Sequence, residues 1–125
     1  KLSPEMCGIG PFVPHKDTKF KNENHGDVSL VLMLLSIIRL LKPNILLPAT
    51  TALGTVDPLG REKGILHGAN VVMPNLSPVK HRKDYSLYDN KICTGDEAAQ
   101  CIGCLADRMK KIGCEIVTDR GDYTE

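Results

Sequence analysis

Cys93, Cys101 and Cys104 fall within the run Lys91-Ile92-Cys93-Thr94-Gly95-Asp96-Glu97-Ala98-Ala99-Gln100-Cys101-Ile102-Gly103-Cys104, which holds three of the chain's five cysteines. Thiols gathered so closely serve a metal centre or a redox pair. Cys101 and Cys104 have two residues between them, so both can reach one ion, and Cys93 arrives from a turn just upstream. Thiolate donors in this pattern suit zinc or an iron–sulfur cluster, and no fourth ligand is evident nearby. Cys7 and Cys114 stand apart, one in a strand pattern and one beyond a helix end, and read as small, half-buried thiols. His15, His25, His67 and His81 show no pairing at helix-face spacing and read as structural or solvated. Only His15 sits in a strand-end loop, where it could adjoin a cofactor.

A trio of ligands needs elements to hold it. The 125 residues are 42% hydrophobic with a formal net charge of +1, enough to bury a core and without the charge bias of a nucleic-acid or membrane-surface binder. Five cysteines is an odd number, and the clustering of three of them in one segment does not resemble a spaced disulfide framework, which favours a reducing cytoplasm. The chain opens without an initiator Met or a signal segment and enters a buried-strand pattern at Met6-Cys7-Gly8-Ile9-Gly10-Pro11-Phe12. That is the pattern of a piece of a larger protein.

Val28 to Leu41 is apolar apart from Ser29, Ser36 and Arg39, which share one helical stripe. Asp27 can cap this helix and Pro43 stops it. A membrane span would need about 20 apolar residues, so a helix packed on a sheet is expected instead. Asn44 to Thr50 then reads as a short buried strand. Asp57-Pro58 reads as the cap and first residue of a helix closing near His67-Gly68, and Asn70 to Pro74 as another strand. A last helix is expected from about Asp96 to Ile112, ended by Gly113, with Cys101 and Cys104 on one face. Short apolar strands alternating with helices predict α/β architecture built of parallel βαβ units. Three or so such units form part of a TIM-type (βα)8 barrel, which needs about 250 residues when complete. The expectation is one partial domain over 1–125 with a cysteine-rich helical segment at 91–114.

In such barrels the C-terminal strand ends carry the active site. Here those ends are Gly10-Pro11-Phe12-Val13-Pro14-His15, Pro48-Ala49-Thr50-Thr51-Ala52-Leu53-Gly54-Thr55 and Met73-Pro74-Asn75. Thr50 and Thr51 either cap local backbone or face a pocket for a carboxylate or another anion. Tyr85 and Tyr88 follow the basic stretch Lys80-His81-Arg82-Lys83 and could pack as one helical face.

With Gly68-Ala69-Asn70-Val71-Val72-Met73-Pro74-Asn75, these segments resemble the C-terminal half of the HydE-type radical S-adenosylmethionine maturases of di-iron hydrogenases, which belong to the biotin synthase-like superfamily. The resemblance covers essentially the whole chain. It implies that Thr50, Thr51, Met73 and Tyr88 line a substrate cavity, that Met6 and Tyr85 lie on the S-adenosylmethionine side, and that Cys93, Cys101 and Cys104 hold a peripheral iron–sulfur cluster. It further implies a small iron-containing or amino-acid-derived substrate, hydrogenase maturation proteins as partners, and neither nucleic acid nor membrane. Biotin synthase itself has an Arg-containing strand end where this chain has Pro48-Ala49-Thr50-Thr51, which argues against biotin chemistry. Methylornithine synthase is a more distant relative.

One departure bears on activity. The family binds a four-iron cluster and S-adenosylmethionine through three cysteines spaced by three and then two residues, and no such spacing occurs here. The resemblance places that site in the N-terminal half of the barrel, so this chain is expected to hold no catalytic residue and to be inactive alone. The same half would be its main partner. Without it, uncovered strand edges are expected to drive self-association. The competing reading is a free-standing metal-binding or electron-transfer module, because the thiol ligands are entirely local.

Overall fold

The computed structural model describes residues 3–85, 87–92 and 98–123, with the backbone alone at 83 and 98–101. Its first helix, α1, spans Val28–Leu41. Asp27 is extended and its Oδ1 accepts from the Ser29 amide at 2.7 Å, while the Lys42 amide closes the last turn on Ile38. The limits are those that Asp27 and Pro43 predict. The polar stripe has a use: Ser36 Oγ donates to the carbonyl of His67 at 3.2 Å, and Arg39 Nε donates to that of Gly68 at 2.8 Å. A hydroxyl and a cation of α1 thereby satisfy carbonyls at the end of a later helix.

Strands β1 (Pro48–Ala49) and β2 (Val71–Val72) pair in parallel, Pro48 opposite Val71 and Ala49 opposite Val72. On the other side of β1, Met6 forms a parallel bridge with Leu46, bonded through Cys7 N to Leu46 O and Leu46 N to Glu5 O, both at 3.0 Å. Three parallel lines thus lie side by side in sequence order, each joined to the next through helix. The strand expected from Met6 to Phe12 shrinks to that single bridge. Pro11 and Pro14 have no amide to donate, and Phe12 turns away to meet Phe20 edge-on at 6.1 Å.

Two short helices, not one, join β1 to β2: α2 (Thr51–Val56) and α3 (Gly60–Leu66). Asp57 organises the turn between them instead of capping a helix at Pro58, its Oδ1 accepting from the Leu59 amide at 2.9 Å and its Oδ2 pairing with Lys63 at 2.5 Å. A Cβ on Gly60 would come within 2.2 Å of the Leu53 carbonyl oxygen, so only glycine lets α2 and α3 approach this closely. Gly64 similarly brings α3 onto Ala49 of β1. Val31, Leu32 and Leu35 of α1 meet Ile45, Leu47, Ala49, Leu53 and Ala69 in the core.

After β2 a 3₁₀ helix covers Val79–Tyr85, and α4 spans Ala98–Lys111. Gly113 takes φ of 77° and ends α4, with Gly113 N bonded to Lys110 O and Cys114 N to Met109 O, both at 3.0 Å. This pair of bonds satisfies two terminal carbonyls and is the ending that the glycine predicted. The chain is therefore mixed helix and strand with parallel pairing, as expected. No barrel is closed by these short strands, and no described helix is long and apolar enough to cross a membrane.

Candidate functional site

The strand register sets out the candidate residues level by level. One step beyond Ala49 and Val72 come Thr50 and Met73, so these two lie together at the C-terminal ends of β1 and β2. Gly10 joins them from the first line, since a Cβ there would fall 2.6 Å from Thr50 Oγ1. Thr50 is half-buried and extended, and its hydroxyl caps α2 by accepting from Leu53 N at 3.4 Å. Thr51 opens α2, and its carbonyl accepts from Thr55 Oγ1 at 3.1 Å. Met73 remains 48% exposed, a methionine left uncovered at a strand end.

Two ties hold the segment after the 3₁₀ helix against the same end. Asp89 N donates to Pro14 O at 3.0 Å, and Ile92 N donates to Thr55 Oγ1 at 3.4 Å. Tyr88, half-buried, directly precedes the first of these ties. Thr50 and Met73 thus lie together at the end of the sheet that the βα reading singles out, with Thr51 next in sequence and Tyr88 next to the tie at Asp89. Tyr85 ends the 3₁₀ helix and is 60% exposed, with its carbonyl accepting from Lys91 Nζ at 3.2 Å.

Met6 is not brought to that group. It pairs with Leu46, four positions before Thr50, and at about 3.3 Å per residue this is roughly 13 Å down the strand. There it borders a recess of about 600 Å³ together with Val72, Met109, Cys114 and Ile116. His15 is a turn former: its Nδ1 accepts from Asp17 N at 3.1 Å and its carbonyl from Thr18.

Arg82 was read only as part of a basic stretch, yet it is 2% exposed. Its Nε donates to Ser77 O at 2.8 Å and its Nη2 to Asn75 O at 3.0 Å, fastening the loop that follows Met73. A buried guanidinium with backbone carbonyls as acceptors has no signature in sequence spacing. The pair Glu62 and Arg108 was likewise missed. Glu62 accepts from Arg108 Nε at 2.5 Å and from Nη2 at 2.6 Å, a bidentate fork between α3 and α4. Burial pushes the Glu62 carboxyl up, but the Arg108 fork, a backbone donor and the neighbouring Arg61 charge outweigh it, and the net pKa lies below the ordinary glutamate value.

Of the thiols, Cys104 is exposed and unoxidised on α4. Cys101 lies on the same helix three residues earlier, with its side chain outside the described residues, as is Cys93 altogether. Among the described residues no three His, Cys, Asp or Glu side chains come together as a metal site. The helical spacing itself fits two thiolates on one ion, since residues three apart share a face.

Over 109 residues the chain is 45% identical to the [FeFe] hydrogenase maturase subunit HydE of Thermotoga maritima, a match covering 87% of this chain. The chain is similar to part of that HydE. It spans about 31% of the length of that HydE, and no protein-family model matches it. The described residues of this chain contribute a set of strand ends and a helix, α4, on which Cys101 and Cys104 lie.

Proposed function

We propose that this chain is the C-terminal part of the barrel of a radical S-adenosylmethionine maturase acting in [FeFe]-hydrogenase assembly. The observation that carries this reading is the 45% identity to HydE over 87% of the chain. In the intact enzyme the N-terminal part would bind S-adenosylmethionine and a four-iron cluster, which supply reductive cleavage of the cofactor. The residues of this chain shape the other side of the cavity. Thr50 and Thr51 offer hydroxyls to an anionic group of a small iron-containing or amino-acid-derived substrate. Met73 and Tyr88 supply apolar wall, and Arg82 keeps the loop after Met73 in place from behind. Tyr85 takes the cofactor side. Met6, though well down the strand from the substrate group, would also take the cofactor side.

Cys93, Cys101 and Cys104 would hold an accessory iron–sulfur cluster away from the strand ends. The donor set suits it: two thiols on one helical face, one of them described as exposed and free. Hydrogenase maturation proteins would be the partners of the whole enzyme, with cytoplasmic location.

A chimera tests the assignment. In Thermotoga maritima HydE this chain replaces the matching segment, and formation of 5′-deoxyadenosine from S-adenosylmethionine is measured with hydrogenase activation. Both activities are expected to persist, whereas the 125-residue chain alone should form no 5′-deoxyadenosine. A folded, cluster-loaded chimera that neither cleaves the cofactor nor activates hydrogenase would overturn the assignment.

A further inference from the structure

Residues 115–123 leave the end of α4 and reach the C-terminal end of α1. At the start of this segment Cys114 N is held on the carbonyl of Met109, a fully buried residue of α4. At its far end the ring of Tyr123 lies under Lys42, the C-cap of α1, with Nζ 5.2 Å from the ring centroid. The same ammonium donates to Ser3 Oγ at 2.9 Å and to Pro4 O at 2.6 Å, two residues before Met6. Between these ends the segment lines the 600 Å³ recess together with Met6, Leu46 and Val71. Those three residues stand at or before the starts of the three parallel lines, at the opposite end of the sheet from Thr50 and Met73. Three lines are about 10 Å across. Residues 115–123 can reach about 30 Å, so the crossing needs no stretched backbone.

Little holds the segment between its two ends. Among the described residues no backbone hydrogen bond joins 115–123 to a strand or a helix. Its polar contacts are internal: Asp119 Oδ1 accepts from Arg120 N at 2.6 Å, and Arg120 Nε pairs with Asp122 at 3.1 Å. Residues 117–122 are all exposed, and Tyr123 is then half-buried again. A stretch with so few buried contacts opens at low cost, so the contact at its far end decides whether it stays down.

We infer that residues 115–123 are a strap across the N-terminal ends of the parallel strands, latched by the Lys42 ammonium on the Tyr123 ring, and that releasing the latch opens the recess to solvent. Lys42 suits this role because the Ser3 and Pro4 oxygens already orient its ammonium, so the ring meets a cation that is in place. A cation over an aromatic face at an exposed site is a weak contact, which is what a latch that opens requires. The strap governs access at this end of the sheet alone and leaves the Thr50 and Met73 end untouched.

Cys114 reports on the strap, since it is half-buried on the wall of the recess, and the exposed Cys104 of α4 serves as an internal reference. Iodoacetamide alkylation of the full reduced chain is followed at both thiols by peptide mass spectrometry. In the unsubstituted chain Cys114 is expected to react more slowly than Cys104. Tyr123→Leu and Lys42→Met are expected to raise the Cys114 rate relative to Cys104 roughly threefold, the size of an exposed cation–aromatic contact, with unchanged circular dichroism. Tyr123→Phe and Lys42→Arg, which keep the ring and the charge, are expected to retain the unsubstituted ratio. The two Tyr123 variants keep the test open if Lys42→Met, which also frees Ser3 and Pro4, alters the fold. An unchanged ratio in folded Tyr123→Leu would overturn the inference, even with release in Lys42→Met, because the Ser3 and Pro4 contacts and not the ring would then hold the recess shut. Release in Tyr123→Phe as large as in Tyr123→Leu would overturn it too, since the ring face would not be the group that Lys42 holds.

Discussion

At Glu62 the opposing effects are visible in one side chain. Its burial disfavours charge, and the Arg108 fork more than compensates, so the folded pKa falls below the ordinary 4.5. A depressed carboxyl stabilises the fold fully above its unfolded pKa and loses that contribution as pH falls through the folded value. Stability measured by denaturant between pH 7 and pH 3 is expected to decline more steeply for the unsubstituted chain than for Glu62→Gln. At neutral pH that variant should be less stable by about 2 kcal/mol, since Arg108 loses a charged acceptor. Gly10 gives a second test. Its missing Cβ makes room for Thr50 Oγ1, so Gly10→Ala must displace either the first line or the α2 cap, at a cost of about 1–2 kcal/mol in thermal unfolding. These contacts were hidden in the sequence because each joins residues on different elements. A glycine that spares a threonine hydroxyl, and an arginine that finds a glutamate on another helix, have no local spacing to betray them.

Elements were legible where their signals were local. Helix α1 follows from a long apolar run with Asp27 before it and Pro43 after it, and α4 ends where Gly113 said it would. Helix α2 was not foreseen. Its six residues include two threonines and Gly54, weak helix formers, and it exists because Thr50 caps it and Gly60 lets α3 press against it. The first strand was over-read, since apolar content alone does not count the amides that Pro11 and Pro14 lack. The strand ends carrying Thr50 and Met73 were legible from βα alternation, whereas Arg82 behind them was not. Arg82→Met is expected to destabilise the chain by about 2 kcal/mol, because the half-buried Ser77 and Asn75 carbonyls would lose the charged donor of the buried Arg82. Gly113→Ala should cost about 1 kcal/mol through its positive φ. Both are read by thermal melts followed by circular dichroism.

For the molecule as a whole, α1 is apolar on two sides. Leu30, Met33, Ile37, Leu40 and Leu41 remain substantially exposed, opposite the face that enters the core. An uncovered stripe of this kind favours association. The 125-residue chain alone is expected to sediment as a dimer or larger at micromolar concentration, and a Leu40→Glu, Leu41→Glu variant as a monomer.

The distances along the chain that the contacts must close also differ. Leu47 N meets Asn70 Oδ1 across 23 residues, whereas Arg108 meets Glu62 across 46. Doubling a loop costs about 0.6 kcal/mol more in closure entropy, and residue 108 is also made later by the ribosome. The parallel strands can therefore assemble before α4 docks. In pulse-labelled hydrogen exchange during refolding, the amide of Leu47 is expected to gain protection ahead of those near Arg108. The cysteine-bearing helix would then arrive on a finished scaffold, leaving its thiols reachable by metal donors until the final docking step.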